Sequence, residues 1–97
     1  MPANEVLSET IVFELPDRPG AERLWNRLRP RWSVDAYDDD VGALVVVALR
    51  SEERDLATLL RTVQLWGFEQ GVDALLFHLD GRAYFLESTK SVWPAAA

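Results

Sequence analysis

Short stretches with a hydrophobic residue at every second position alternate along this chain with stretches whose hydrophobic residues recur every three or four positions. Residues 10–15 have the first spacing, with Ile11, Phe13 and Leu15 on one side, and this is typical of a half-buried strand. We expect Pro16 to end the strand, because proline has no N–H to donate to a neighbouring strand.

The spacing becomes helical from Pro19 onward. One hydrophobic stripe is formed by Ala21, Leu24, Trp25 and Leu28. Pro19 suits the first turn of a helix, and the side chain of Asp17 can accept hydrogen bonds from the first amides. We expect Pro30 to stop the helix.

Four further strands are predicted. The first is a short strand at residues 33–37, and a turn at 38–42 separates it from a strand at 43–49. Residues 43–49 are hydrophobic throughout, which is typical of a central strand. Residues 74–79 and 82–87 are predicted to form a hairpin around an Asp-Gly turn.

A second helix is predicted between the central strand and the hairpin. Ser51 is its predicted N-cap, and Gly67 is predicted to end it. Its buried stripe is predicted to consist of Leu56, Leu59, Leu60 and Val63.

The predicted order is β-α-β-β-α-β with one extra C-terminal hairpin strand, which places the chain in the α+β class. The simplest solution is a ferredoxin-like sandwich, with both helices on one face of an antiparallel sheet. We expect the first and third strands to be central and the last hairpin to lengthen one edge. Residues 1–97 are interpreted as a single domain, with its core at about 9–87 and flexible ends at 1–8 and 88–97.

Helices on one face leave the other face of the sheet uncovered. We expect the uncovered face to carry Val45, Val47 and Leu49, together with alternate residues of the hairpin, as an exposed hydrophobic patch. We expect a second copy, a partner protein or the C-terminal tail with Trp93 to cover such a patch, and we predict a homodimer because the two-fold arrangement is the commonest.

Composition and charge narrow the function classes. A net charge of −6 argues against binding to nucleic acid or to an anionic membrane. The chain has no cysteine, which excludes disulfides, thiol catalysis and cysteine-ligated metals. No stretch is long and hydrophobic enough to span a membrane, so we expect a cytoplasmic protein. We expect no cofactor.

The junction of the first strand and first helix is the candidate ligand site, formed by Asp17, Arg18, Pro19 and Gly20. The first amides of a helix have no acceptor inside the helix, and the helix dipole is positive there, so a carboxylate is stabilised at this position. Arg18 can add a charge-assisted contact. The alternative is that these residues form only a turn.

Three other groups of residues were weighed as sites. His78 is the single histidine, and a structural or surface role is favoured over catalysis. Asp38, Asp39 and Asp40 lack the spacing of a calcium loop, and a solvated turn is favoured. The arginines of the first helix could form a docking face for an acidic partner, but pairing with Glu22 and the acidic turn, or simple solvation, is favoured.

The segment Phe-Glu-Leu-Pro-Asp-Arg-Pro-Gly-Ala at 13–21, followed by Trp-Ser-Val at 32–34, resembles the C-terminal regulatory module of threonine dehydratases. That module is ACT-like, has the same element order and senses branched-chain amino acids. The resemblance implies a non-enzymatic regulatory module with an amino acid as its ligand. Two positions depart from the family, since Glu22 replaces a leucine and Asp38 replaces a basic residue.

Two alternatives remain open beside the amino-acid-binding module. One is a protein–protein interaction module that keeps the ferredoxin-like fold and has lost the ligand, with the open sheet face or the arginine-rich helix as its contact surface. The weaker one is an enzyme of the dimeric α+β-barrel kind, which requires a pair of polar residues in a cavity between sheet and helices.

Overall fold

The computed structural model describes residues 10–40, 42–49 and 54–87. It contains five strands and two helices, in the order β1 (Thr10–Leu15), α1 (Arg18–Leu28), β2 (Ser33–Asp38), β3 (Ala43–Ala48), α2 (Asp55–Gln70), β4 (Ala74–Leu79) and β5 (Arg82–Glu87). The predicted N-cap Ser51 and the predicted flexible ends lie outside the described residues.

The five strands form one antiparallel sheet in the order β2-β3-β1-β4-β5. The first and third strands are interior and the hairpin extends one edge, as predicted. A small α+β domain with this sheet and two helices is consistent with a ferredoxin-like fold in general.

One face of the sheet is the core face. Along β1, the residues Ile11, Phe13 and Leu15 are buried and the residues between them are not. The buried residues of both helices join the same hydrophobic cluster as these side chains, so the core lies between the helices and one sheet face. The ring of Phe13 packs on Phe77 of β4, with centroids 5.7 Å apart.

The strand pairing corrects the predicted outer face. Val45 and Val47 of β3 lie directly opposite Phe13 and Ile11 of β1, so they point into the core. Both are fully buried, and Leu49 is 5% exposed. The prediction that these three residues form an exposed interface is therefore wrong. Leu44, Val46 and Ala48 occupy the outward positions of the strand.

Two glycines determine where elements turn. Gly42 directly precedes β3, and its Cα lies so close to the Leu15 carbonyl oxygen that a Cβ would be 2.2 Å from it, which no side chain tolerates. Gly71 has φ 75° and ends α2 in the left-handed conformation that favours glycine. The prediction that Gly67 ends this helix is wrong, because Gly67 is buried inside it.

Candidate functional site

The turn from β1 into α1 is held by hydrogen bonds between its own residues. Asp17 has an extended backbone and is the N-cap of α1, and its Oδ1 accepts a hydrogen bond of 2.8 Å from the amide of Gly20. The carbonyl of Asp17 accepts the amide of Ala21 at 3.2 Å. The predicted capping role of Asp17 is confirmed, and it stabilises the helix by about 0.5–2 kcal/mol.

These bonds leave few donors for a ligand at Asp17, Arg18, Pro19 and Gly20. Pro19 has no N–H, and the amides of Gly20 and Ala21 are already bonded. Only the amide of Arg18 is unaccounted for by these bonds. The carboxylate of Asp17 also occupies the position that a ligand carboxylate would take. The expectation that the first amides of the helix face open solvent is therefore wrong.

The side chain of Arg18 lines a pocket between α1 and the β2–β3 pair, beside the turn and not at its amides. The pocket has a volume of about 120 Å³. Its lining comprises Arg18, Ala21, Glu22, Ala36, Tyr37, Asp38 and Ala43. Of the four predicted site residues, Arg18 is the one that lines it.

Arg18 stands between two carboxylates at this pocket. Its Nε lies 3.5 Å from Oε2 of Glu22, one turn along α1, and its Nη1 lies 3.6 Å from Oδ2 of Asp38 on β2. All three side chains are at least 64% exposed, so water screens both ion pairs. The pairing of this helix with Glu22 and the acidic turn is confirmed at Arg18.

Three more arginines, one on α1 and two just after it, contact neighbouring side chains and do not form one free basic surface. Arg27 forms an ion pair with Glu69 of α2. The guanidinium of Arg29 lies 4.8 Å from the ring centre of Trp25, and that of Arg31 lies 5.3 Å from the ring of Trp32. These contacts weigh against the arginine-rich helix as the docking face.

A buried polar pair joins the two layers of the domain. The indole N–H of Trp32 donates to Oδ1 of Asp55 at 2.9 Å, and both residues are buried. Asp55 is the only buried polar or charged residue within the described ranges. The sequence pattern does not predict this pair, because an aspartate in the first turn of a helix is also common as a solvated residue.

The outward face of the sheet carries a second polar pair. His78 of β4 donates from Nε2 to Oε2 of Glu14 on β1 at 2.5 Å, and both side chains are about 40% exposed. The surface role predicted for His78 agrees with this position. The partner was not predictable, because the two residues are 64 positions apart and meet only through the pairing of β1 with β4.

Strand pairing arranges the outward residues in two rows that cross all five strands. The aromatic row consists of Tyr37, Leu44, Glu14, Leu76 and Phe85. The valine row consists of Asp35, Val46, Val12, His78 and Ala83. The aromatic row ends in two large exposed side chains, since Tyr37 is 55% and Phe85 is 74% exposed.

The acidic turn after β2 is closed by its own backbone. The amides of Asp39 and Gly42 donate to each other's carbonyls, and the amide of Asp40 donates to the side chain of Asp39 at 2.8 Å. Among residues 10–40, 42–49 and 54–87, no three His, Cys, Asp or Glu side chains are grouped to hold a metal ion.

Comparisons with known proteins assign no family to the chain. No family model, curated protein or solved structure matches it. The likeness to ACT-type modules therefore stays a prediction. Neither helix of the described part of the chain has the length and hydrophobicity needed to cross a bilayer.

Proposed function

We propose that this chain is a non-enzymatic, ACT-like regulatory module of the ferredoxin-like type that binds a small α-amino acid. The proposed site is the pocket between α1 and β2, next to the predicted turn and not on its amides. The observation that supports it is the position of the Arg18 guanidinium between the carboxylates of Glu22 and Asp38.

The charges of the pocket complement an amino acid. A ligand carboxylate binds the guanidinium of Arg18, and the ligand ammonium binds the carboxylates that Arg18 releases. The existing ion pairs are long and exposed, and pairs of this kind are worth only about 0–1 kcal/mol. Exchanging them for contacts with a ligand therefore costs little.

The size of the pocket limits the ligand. Its volume of about 120 Å³ is smaller than the range typical of drug-sized ligands, which begins at about 300 Å³. It is close to the volume of about 150 Å³ that accommodates benzene in an engineered cavity. The small amino acids are therefore expected to fit better than the aromatic ones.

Thermal melts with each of the twenty amino acids test this proposal. A ligand at ten times its dissociation constant stabilises the fold by about 1.4 kcal/mol, which raises the melting temperature of a domain this size by about 6–11 °C. Arg18→Gln should abolish the shift. The matched control is Arg23→Gln, because Arg23 is exposed on the same helix and does not line the pocket.

Two results would count against amino-acid binding at this pocket. If none of the twenty amino acids shifts the melt, the module does not bind a free amino acid. If a shift persists in Arg18→Gln, the ligand binds elsewhere on the domain.

The second candidate function is a protein–protein interaction module. The observation that favours it is the outward sheet face, where Leu44, Val46 and Leu76 lie side by side and are only partly buried. Hydrophobic side chains that adjoin in this way on an uncovered sheet commonly mark a contact surface. Under this alternative, the module binds no small ligand and contacts its partner through the outward sheet face.

A further inference from the structure

The aromatic row has the same order of side-chain types when it is followed from either edge of the sheet. Its side chains are aromatic, leucine, glutamate, leucine and aromatic in the order β2, β3, β1, β4, β5. Its centre is Glu14 on β1, which is the middle strand. A two-fold contact between identical chains requires a surface that complements itself, and this order places like side-chain types opposite each other about an axis through its centre.

We propose that this face binds a second copy of the chain around a two-fold axis that runs along β1, between the two sheets. Rotation about this axis places β2 of one copy opposite β5 of the other, and β3 opposite β4. Tyr37 then packs against Phe85 of the second copy, and Leu44 packs against Leu76 of the second copy. Each contact occurs twice, and sheets commonly pack with their strands within about 30° of each other.

The valine row fits the same axis. Val12 lies at its centre and meets Val12 of the second copy. Val46 lies opposite His78 of the second copy, and Asp35 lies opposite Ala83 of the second copy. No two like charges of this row are brought together, which is the condition for a two-fold contact without repulsion.

Glu14 lies near the axis, where it comes close to Glu14 of the second copy. Its hydrogen bond to His78 keeps the two carboxylates apart. The hydrogen bond draws the Glu14 carboxylate toward β4 of its own copy. Because the axis reverses the strand order, the second carboxylate is drawn toward the opposite edge. The two carboxylates therefore diverge, and each faces its own imidazole.

The area of the face is enough for a weak dimer. Five strands at about 4.8 Å spacing and six residues at about 3.3 Å per residue give a face of about 24 by 20 Å, or about 500 Å² per copy. Two copies bury about 1,000 Å², the lower limit for a specific interface. An interface of this size belongs to the weak, transient class, so we expect the dimer to form only at high protein concentration.

This inference rests on the interaction-module alternative and not on the amino-acid pocket. Its test is sedimentation equilibrium of the full chain without ligand, from about 10 µM to about 1 mM. Tyr37→Lys and Phe85→Glu each place a charge against an aromatic ring of the second copy. Each should weaken the dimer at least about tenfold. Both positions are largely exposed, so the fold is expected to survive, and circular dichroism checks it.

The two variants are designed so that an equimolar mixture of them restores the dimer. In an equimolar mixture, Lys at position 37 of one copy meets Glu at position 85 of the other, and the second contact keeps the native Tyr37 and Phe85. The mixture should therefore regain the dimer that each variant alone has lost. Arg61→Glu, an exposed change on α2, is the matched control and should keep the wild-type mass.

Three results would overturn the inference. A wild-type chain that stays at 11.0 kDa throughout the series has no second copy as its partner. Single variants that remain dimeric would place the contact on another surface. Monomeric single variants whose mixture also stays monomeric would exclude the axis along β1. The amino-acid melts are independent of all three results, so either proposal can fail alone.

Discussion

The two faces of β3 have the same hydrophobic character and opposite environments. The inward positions of β3, such as Val45 and Val47, are fully buried beneath the helices. The outward positions Leu44 and Val46 are only partly buried. Along this strand, hydrophobicity alone therefore does not distinguish the core-facing positions from the outward ones.

Polar groups distinguish the two faces more clearly. The inward side contains one buried charged residue, Asp55, which is hydrogen-bonded to Trp32 within the described part of the chain. The outward side carries Glu14 and His78 in the middle of the sheet, where both still contact water. A polar pair that stays solvated suits a surface that is exposed in the monomer and covered only on association.

Aspartate substitutions at neighbouring positions of β3 should have the largest and most unequal effects. Val45→Asp buries a charge in the core and should prevent folding, because an unpaired buried charge costs several kcal/mol. Val46→Asp, one residue away on the outward face, should still fold. Urea unfolding followed by circular dichroism measures both. Equal losses of stability would mean that the two faces are not distinct.

Replacement of a buried indole donor should have the next largest effect. Trp32→Phe removes one hydrogen bond to the buried Asp55 and should lower the free energy of unfolding by about 1–3 kcal/mol. Trp25→Phe is the control, because its indole donates to the Val34 carbonyl from a half-buried position. That variant should lose less, and a larger loss in Trp25→Phe than in Trp32→Phe would contradict the assignment of the buried pair.

The outward polar pair should contribute least to the monomer. His78→Gln weakens the contact with Glu14, and the loss should be below about 1 kcal/mol because both groups are partly solvated. A loss as large as that of Trp32→Phe, measured by the same urea titration, would show that this face is less exposed than the structure describes.

The sequence determined the elements well where the side-chain pattern was unambiguous. Ile11, Phe13 and Leu15 alternate with more polar neighbours, and β1 was predicted with the bounds that the structure has. The run from Ala43 to Leu49 is hydrophobic at every position, so either set of alternate residues can face the core. A register shift of one residue turns a strand over, and only the pairing of Phe13 with Val45 decides the orientation.

The sequence predicts the N-cap of α1 but not which helix amides that cap occupies. Asp17 was correctly predicted to accept from the first amides, and that same bond takes the Gly20 amide away from a ligand. The approach of Asp38 to Arg18 depends on how α1 packs against β2, which spacing along the chain does not encode. Glu14 and His78 are likewise brought together only by strand pairing.

The mass of the wild-type chain as a function of its concentration tests the central claim most directly. A sheet with one face covered by helices and a self-complementary open face predicts a rise from 11.0 kDa toward twice that value with increasing concentration. Phe85→Glu should suppress the rise and keep the fold, because Phe85 is largely exposed in the monomer. A constant mass of 11.0 kDa for the wild type, up to about 1 mM, would contradict the account.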